Sequence, residues 1–258
     1  MSPPLVLILS SHVAASPVGG SAQAAALAGV GVETMLVPTV LFGRHPGLGA
    51  PGGGPVGIEI FEGMLAGVEA AGVFGRLDAA VTGYFAQPAQ VAAAARALDA
   101  IRAVNREAWV IVDPIMGDRG VGLYIDEAVA RAVAGDLVSR ADLIAPNAWE
   151  LERLTGRGAA DPASALAAAR SLDRPVLVSS VEIGADIGVI YADAGQAWLA
   201  SHPRQADAPR GSGDRLTALF AGAVLGGASP REALERSVRA VAGLATGAPV
   251  DVRLEALG

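Results

Sequence analysis

Short apolar runs separated by helix-length stretches decide what this chain can fold into. Leu5-Val-Leu-Ile-Leu9 is apolar at every position, so it has no solvent-facing side and reads as a strand buried on both faces. Val32 to Val37, Ala79 to Thr82, Trp109 to Val112, Asp142 to Ala145 and Val176 to Ser180 read as further short strands, each with an apolar centre. Helical stretches lie between them, near Ser21 to Ala28, Ile58 to Ala71, Pro88 to Val104, 126 to 138 and Ala160 to Leu172. This alternation predicts an α/β fold with a mainly parallel sheet covered on both faces.

The remaining elements are less regular. Thr39 to His45 extends the second strand as a flap, and residues 46 to 57 are almost all Gly and Pro. Such a segment is expected to hold no regular structure and to act as a mobile loop over the site. Ile187 to Tyr191 and Ala197 to Ser201 read as a hairpin turning at Asp193-Ala194-Gly195, and a helix from Pro230 to Ala245 closes the chain. No internal repeat or shift in composition marks a boundary, so residues 1 to 258 are read as a single domain.

Composition narrows the chemistry. The formal charge of −7 has no basic tract behind it, which argues against nucleic acid as a partner. No apolar run has the length of a membrane span, and Met1-Ser2-Pro3-Pro4 lacks a basic leader, so a cytoplasmic location is expected. The chain has no cysteine, which removes thiol nucleophiles and zinc-thiolate sites. All 19 basic residues are Arg, so Schiff-base catalysis and the phosphate-loop lysine are absent too. Any phosphate handled here must be met by backbone amides, Arg or metal. His12, His45 and His202 have no metal-ligand spacing.

Polar residues collect at the carboxyl ends of the predicted strands: Ser11, Tyr84, Asp113, Asn147, Glu150 and Ser179. That edge is where open α/β sheets bind ligands. The most informative stretch is Arg210-Gly211-Ser212-Gly213-Asp214, ahead of an apolar run with Leu216, Leu219, Phe220 and Ala223 at helical period. Small residues opening a helix let free amides and the positive dipole end face an anion, typically phosphate. Asp214 at its rim could take a proton from a hydroxyl attacking that phosphate, kept ionised by the helix terminus and acting by position. The same residues also read as an ordinary turn with an N-cap. Asp113 before Pro114 also reads as a strand end, and Asn147 with Glu150 as a capping box.

Taken in order, Ser10-Ser11-His12-Val13, Thr39-Val40 through His45, Thr82-Gly83-Tyr84, Asp113-Pro-Ile-Met-Gly-Asp118, Pro146-Asn147-x-x-Glu150 and Gly211-Ser-Gly-Asp214 resemble the pyridoxal kinases of the ribokinase-like superfamily. The resemblance implies a three-layer αβα sandwich with a small flap over the site. It implies transfer of the ATP γ-phosphate to the 5′-hydroxymethyl group of pyridoxal, pyridoxine or pyridoxamine. Asp214 matches the family's base and Gly211, Ser212 and Gly213 its anion hole. Asp113, Asn147, Glu150 and Ser179 match the surround of the nucleotide phosphates and Mg²⁺, with Asp113 and Glu150 acting on the metal through water. Ser11, Thr39, His45, Pro46 and Tyr84 fall on the substrate side.

The resemblance also implies a homodimer, and a monovalent cation is a further candidate. The acceptor side departs from the family: Pro46 stands where relatives carry Thr, and Gly19-Gly20 where they carry Gly-Asn. Two alternatives follow. One is a hydroxymethylpyrimidine-type kinase of thiamine synthesis; the other is a catalytically silent homologue that binds vitamin B6 or nucleotide.

Overall fold

The computed structural model describes residues 2–205, 209–248 and 250–258. The first half of the chain contains β1 (Leu5–Val13), α1 (Gly19–Gly29), β2 (Glu33–Phe42), β3 (Gly53–Pro55), α2 (Ile58–Ala70), β4 (Ala79–Thr82), α3 (Pro88–Val104) and β5 (Trp109–Val112). The short pair β6 (Gly117–Asp118) and β7 (Gly122–Leu123) follows, then α4 (Glu127–Ala132), β8 (Leu143–Ile144), α5 (Ala148–Thr155) and α6 (Pro162–Arg170). The chain ends with β9 (Val176–Ile183), β10 (Asp186–Ala192), β11 (Ala197–Pro203), α7 (Ser212–Leu225), α8 (Pro230–Thr246) and β12 (Arg253–Ala256).

Ten strands form one sheet in the order β12-β11-β10-β9-β8-β5-β4-β1-β2-β3. The stretch from β9 to β2 is parallel, and both edges are antiparallel. Alternation along β1 shows why its run is wholly apolar. Leu5, Leu7 and Leu9 join a core with Phe61 of α2 and Val91 and Leu98 of α3. Val6 and Ile8 join the opposite core, with Leu27 of α1, Leu216 and Phe220 of α7 and Leu234 of α8. Each strand residue therefore meets a helix layer, and the αβα sandwich follows from burial on both faces.

Two expectations need correction. The Gly/Pro segment from 46 to 57 does hold regular structure, because Gly53–Pro55 pairs antiparallel with Val40–Phe42. Gly53, at φ 85°, comes so close to Leu41 that a Cβ would lie 2.0 Å from its carbonyl oxygen, an approach only glycine permits. Nor does a helix close the chain, since β12 pairs with β11 beyond α8. Its sequence, Arg253-Leu-Glu-Ala256, is short and half-exposed as an edge strand, so it carries little hydrophobic signal. The β6–β7 pair was also invisible to pattern, being two residues per strand.

The strand order reverses beside β1. The chain moves from β1 outward to β2 on one side, then returns to build β4, β5, β8 and β9 on the other. The carboxyl ends of β1 and β4 therefore flank a topological switch point, where the flanking connections diverge and leave a crevice.

Candidate active site

At that crevice the N-termini of α1 and α7 meet. Gly211, which precedes the first turn of α7, has φ 79°. A Cβ there would lie 2.3 Å from the Pro17 carbonyl oxygen, so glycine alone lets α7 start against the loop after β1. The amides of Ser212, Gly213 and Asp214 precede the helix's first internal bond, Arg215 N–H to Gly211 C=O at 3.0 Å. They lack carbonyl partners within the helix and form an electropositive rim.

Asp214 Oδ2 accepts the Gly19 amide at 2.8 Å. Gly19 opens α1 at φ 57°, and a Cβ on it would fall 1.9 Å from Ser11 Oγ. Ser11, Gly19, Gly211 and Asp214 thus share one corner, although three separate segments supply them. Burial is the largest influence on Asp214 and raises its pKa, opposed by the Gly19 hydrogen bond and the Arg215 charge. A carboxylate shifted in this direction accepts a proton more readily, which adds to the positional role expected of it.

Asp113, at the end of β5, is buried, and Thr217 Oγ1 donates to its Oδ2 at 2.9 Å. Thr217 lies one turn beyond Asp214, so α7 holds both acids. Burial, then the charges of Asp214 and Glu150, hold Asp113 well above the usual carboxylate range, while bonds from Thr217 and the Ile115 amide oppose the shift. Ile115 has φ 40°, which for a β-branched residue is strained and folds the backbone back toward Asp113.

Asn147 and Glu150 form the capping box that starts α5. Glu150 Oε2 accepts the Asn147 amide at 2.9 Å, and its Oε1 accepts Met116 N–H at 2.7 Å and Gly117 N–H at 3.3 Å. Asn147 Nδ2 donates to the Gly117 carbonyl at 2.8 Å. Burial nonetheless pushes the Glu150 pKa up to about 7. Ser179 sits in a bridge to Asn147, its amide donating to Pro146 C=O at 3.0 Å. Asn147, Glu150 and Ser179 therefore fasten the segments after β5, β8 and within β9 together.

The flap side is built differently. His45 N–H donates to Ser16 Oγ at 3.2 Å, and His45 Nδ1 accepts Gly47 N–H at 2.9 Å. Burial and the Arg210 charge lower the His45 pKa. Pro46 is exposed at the flap tip. Thr39 is fully buried, and its hydroxyl donates to the Tyr84 carbonyl at 2.6 Å, so it braces the wall rather than offering a free donor. The Tyr84 amide donates to Ser10 Oγ at 3.1 Å, tying β4 to β1. Burial raises the Tyr84 pKa, so its phenol stays protonated.

Sequence reasoning missed Thr217, and it quoted Ser10, Gly19 and Ile115 within motifs without giving them a role. A lone polar residue at a core-facing position one turn past Asp214 was the available signal for Thr217. Gly19 carried a turn signal and a place in the family's Gly-Asn position, neither of which points to Asp214.

The family model described as phosphomethylpyrimidine kinase matches residues 70–251. The pyridoxine/pyridoxal/pyridoxamine kinase of Bordetella avium is 36% identical over 242 residues, covering 91% of this chain and 82% of the relative. Pyridoxal kinase PdxY of Deinococcus radiodurans is 34% identical over 251 residues, 92% of this chain and 84% of that one. Among solved structures, pyridoxal kinase from Entamoeba histolytica superposes with a TM-score of 0.91 at 22% identity, over 100% of both chains. Pyridoxal kinase from Leishmania donovani in complex with ADP gives 0.87 at 24% identity, over 94% of this chain and 86% of that one. These two share the ribokinase-like architecture. With relatives above 30% identity across nine-tenths of its length, the chain belongs to the pyridoxal kinase family and is a phosphotransferase with an alcohol group as acceptor.

Proposed function

We propose that this enzyme transfers the γ-phosphate of ATP to the 5′-hydroxymethyl group of pyridoxal, pyridoxine or pyridoxamine. The observation that carries the reading is the corner where the Gly19 amide holds Asp214 beside the free amides opening α7. The amides of the Gly211–Gly213 turn hold the transferring phosphoryl oxygens, whose charge is spread in the transition state. Asp214 orients the acceptor hydroxyl and receives its proton. Ser11, Tyr84, His45 and the 45–47 turn line the acceptor side. Support for the nucleotide comes from the ADP complex of the Leishmania relative.

Mg²⁺ fits the donor set in one specific way. Asp113 is a buried carboxylate with Asp214 and Glu150 charges nearby, a concentration of negative charge that a cation relieves. Both Glu150 oxygens already accept backbone amides. No cluster of three His, Asp or Glu side chains forms a metal cage among the described residues. Asp113 and Glu150 therefore suit a cation held chiefly by phosphate oxygens and water. When bound, Mg²⁺ supplies charge neutralisation to the phosphates.

A second reading, phosphorylation of a hydroxymethylpyrimidine, is favoured by the family model over residues 70–251. Coupled ADP release with pyridoxal, pyridoxine, pyridoxamine and hydroxymethylpyrimidine separates the two. Turnover of the B6 vitamers that disappears in Asp214→Ala is expected; turnover of the pyrimidine alone, or of no acceptor, overturns the first reading. A homodimer of single-domain subunits in the cytoplasm completes the proposal, and a strictly monomeric mass by light scattering would contradict the dimer. Among the described residues no helix is long and apolar enough to cross a membrane.

A further inference from the structure

Arg210 stands immediately before Gly211, but its side chain belongs to the flap. A Cβ on Gly47 would lie 3.8 Å from Arg210 Cζ and 3.0 Å from His45 Nδ1, so guanidinium and imidazole flank the same glycine. The loop from Ser16 to Gly19 places this corner relative to the chemistry: Ser16 anchors the flap through His45, and Gly19 holds Asp214. Arg210 therefore sits at the acceptor end of the cleft, across the loop from the base.

The flap turn has almost no donors of its own. His45 N–H is engaged by Ser16 Oγ and Gly47 N–H by His45 Nδ1. Leu48 N–H donates to the His45 carbonyl at 2.9 Å and Gly49 N–H to the Pro46 carbonyl at 3.1 Å. Pro46 has no N–H at all. Since Nδ1 accepts, the His45 proton sits on Nε2, and burial with the neighbouring guanidinium keeps the ring neutral. The turn thus presents one neutral donor, with two guanidiniums beside it: Arg210 next to Gly47, and Arg44 next to Gly49, where its Nε donates to the Ala50 carbonyl at 2.9 Å. Arg44 is thereby tied to the flap's own backbone, and no hydrogen bond or ion pair is made by the Arg210 guanidinium among the described residues.

Building on the acceptor-side reading above, we propose that Arg210 is a specificity residue whose guanidinium binds an anionic oxygen on the acceptor molecule. The planar fork suits a phenolate, carboxylate or phosphate oxygen and offers nothing comparable to a neutral ring substituent. Hydroxypyridines such as pyridoxal carry an ionisable ring hydroxyl; an aminopyrimidine does not. Arg210 therefore biases the site toward acceptors with an acidic ring hydroxyl.

Steady-state kinetics of Arg210→Met and Arg210→Lys with pyridoxal and with hydroxymethylpyrimidine tests this, with melting temperatures to confirm folding of variants at this exposed position. The expected result is a roughly tenfold or greater rise in the pyridoxal KM for the Met variant, partly restored by Lys. The change with hydroxymethylpyrimidine is several-fold smaller, and nucleotide KM moves less than either. Equal losses on both acceptors, or a loss falling on nucleotide KM, would overturn the proposal, the latter by assigning Arg210 to the transferred phosphate. If the wild type turns over no acceptor, the kinase reading fails separately, and calorimetric binding of pyridoxal decides the role of Arg210. Weaker binding by the Met variant supports it, and no difference overturns it. The His45 titration followed by NMR should move upward in Arg210→Met; an unmoved midpoint contradicts the placement.

Discussion

The Gly19 amide donates to Asp214 Oδ2 at 2.8 Å, joining residues 195 positions apart. One helix N-terminus thereby orients the acid at the start of another. Gly19 cannot be replaced quietly, because its φ is 57° and a Cβ would meet Ser11 Oγ at 1.9 Å. Gly19→Ala should lower kcat on the order of a hundredfold by displacing Asp214, and stability by about 1–3 kcal/mol. Kinetics alongside urea unfolding checks both; wild-type kcat would show that the amide is dispensable.

Gly211→Ala should damage the anion turn more selectively. The left-handed φ of 79° and the Pro17 carbonyl at 2.3 Å from a Cβ force the turn to move. Loss of one well-aimed donor costs on the order of 10²–10³ in rate for comparable anion holes. The expected split is a kcat reduction of that size with acceptor KM changed only a few-fold, measured by coupled ADP release.

Thr217→Val removes the donor to Asp113 while keeping the side chain's shape. Asp113 is then left buried with the Ile115 amide as its remaining donor. An unsatisfied buried acceptor costs about 1–3 kcal/mol, so the melting temperature should fall. kcat should drop roughly tenfold as Asp113 loses its tie to α7. Thr217→Ser, which keeps the hydroxyl, should recover most of both; equal damage from Ser and Val would deny the hydrogen bond a role.

Glu150 predicts a pH dependence of stability. Its folded-state pKa is pushed up to about 7 from an ordinary 4.5, so the native state binds the extra proton between those values. Its contribution to stability is fully present below the unfolded pKa and is lost as pH rises through the folded one, by up to about 3 kcal/mol. Glu150→Gln should flatten that decline between pH 4.5 and 7 in a urea-unfolding series. An unchanged slope would mean that Glu150 is ionised throughout.

The fold was legible because burial on both sheet faces leaves a strong imprint: Leu5–Leu9, Ala79–Val81 and Trp109–Val112 are apolar throughout, and helix-length stretches separate them. Edge elements were not, since Arg253–Ala256 and Gly53–Pro55 are too short and exposed to bury a pattern. At the site, Gly211, Ser212, Gly213 and Asp214 could be read because they are contiguous. The contacts that give Asp214 and Asp113 their properties are not contiguous. Gly19 reaches Asp214 only after β1 and α7 pack, and Thr217 meets Asp113 across 104 positions. The raised Asp214 pKa was likewise unreadable, because desolvation depends on everything that surrounds the carboxylate.

Asp214→Asn gives the most direct test of the central claim, because it keeps the side chain's shape and an oxygen for the Gly19 amide. Single-turnover rates with saturating ATP and pyridoxal, beside calorimetric nucleotide binding, would measure it. A fall in rate of roughly 10³-fold or more with nucleotide affinity within a few-fold is the predicted result. A variant that still turns over within tenfold of wild type would contradict the assignment of Asp214 as the group that receives the acceptor's proton.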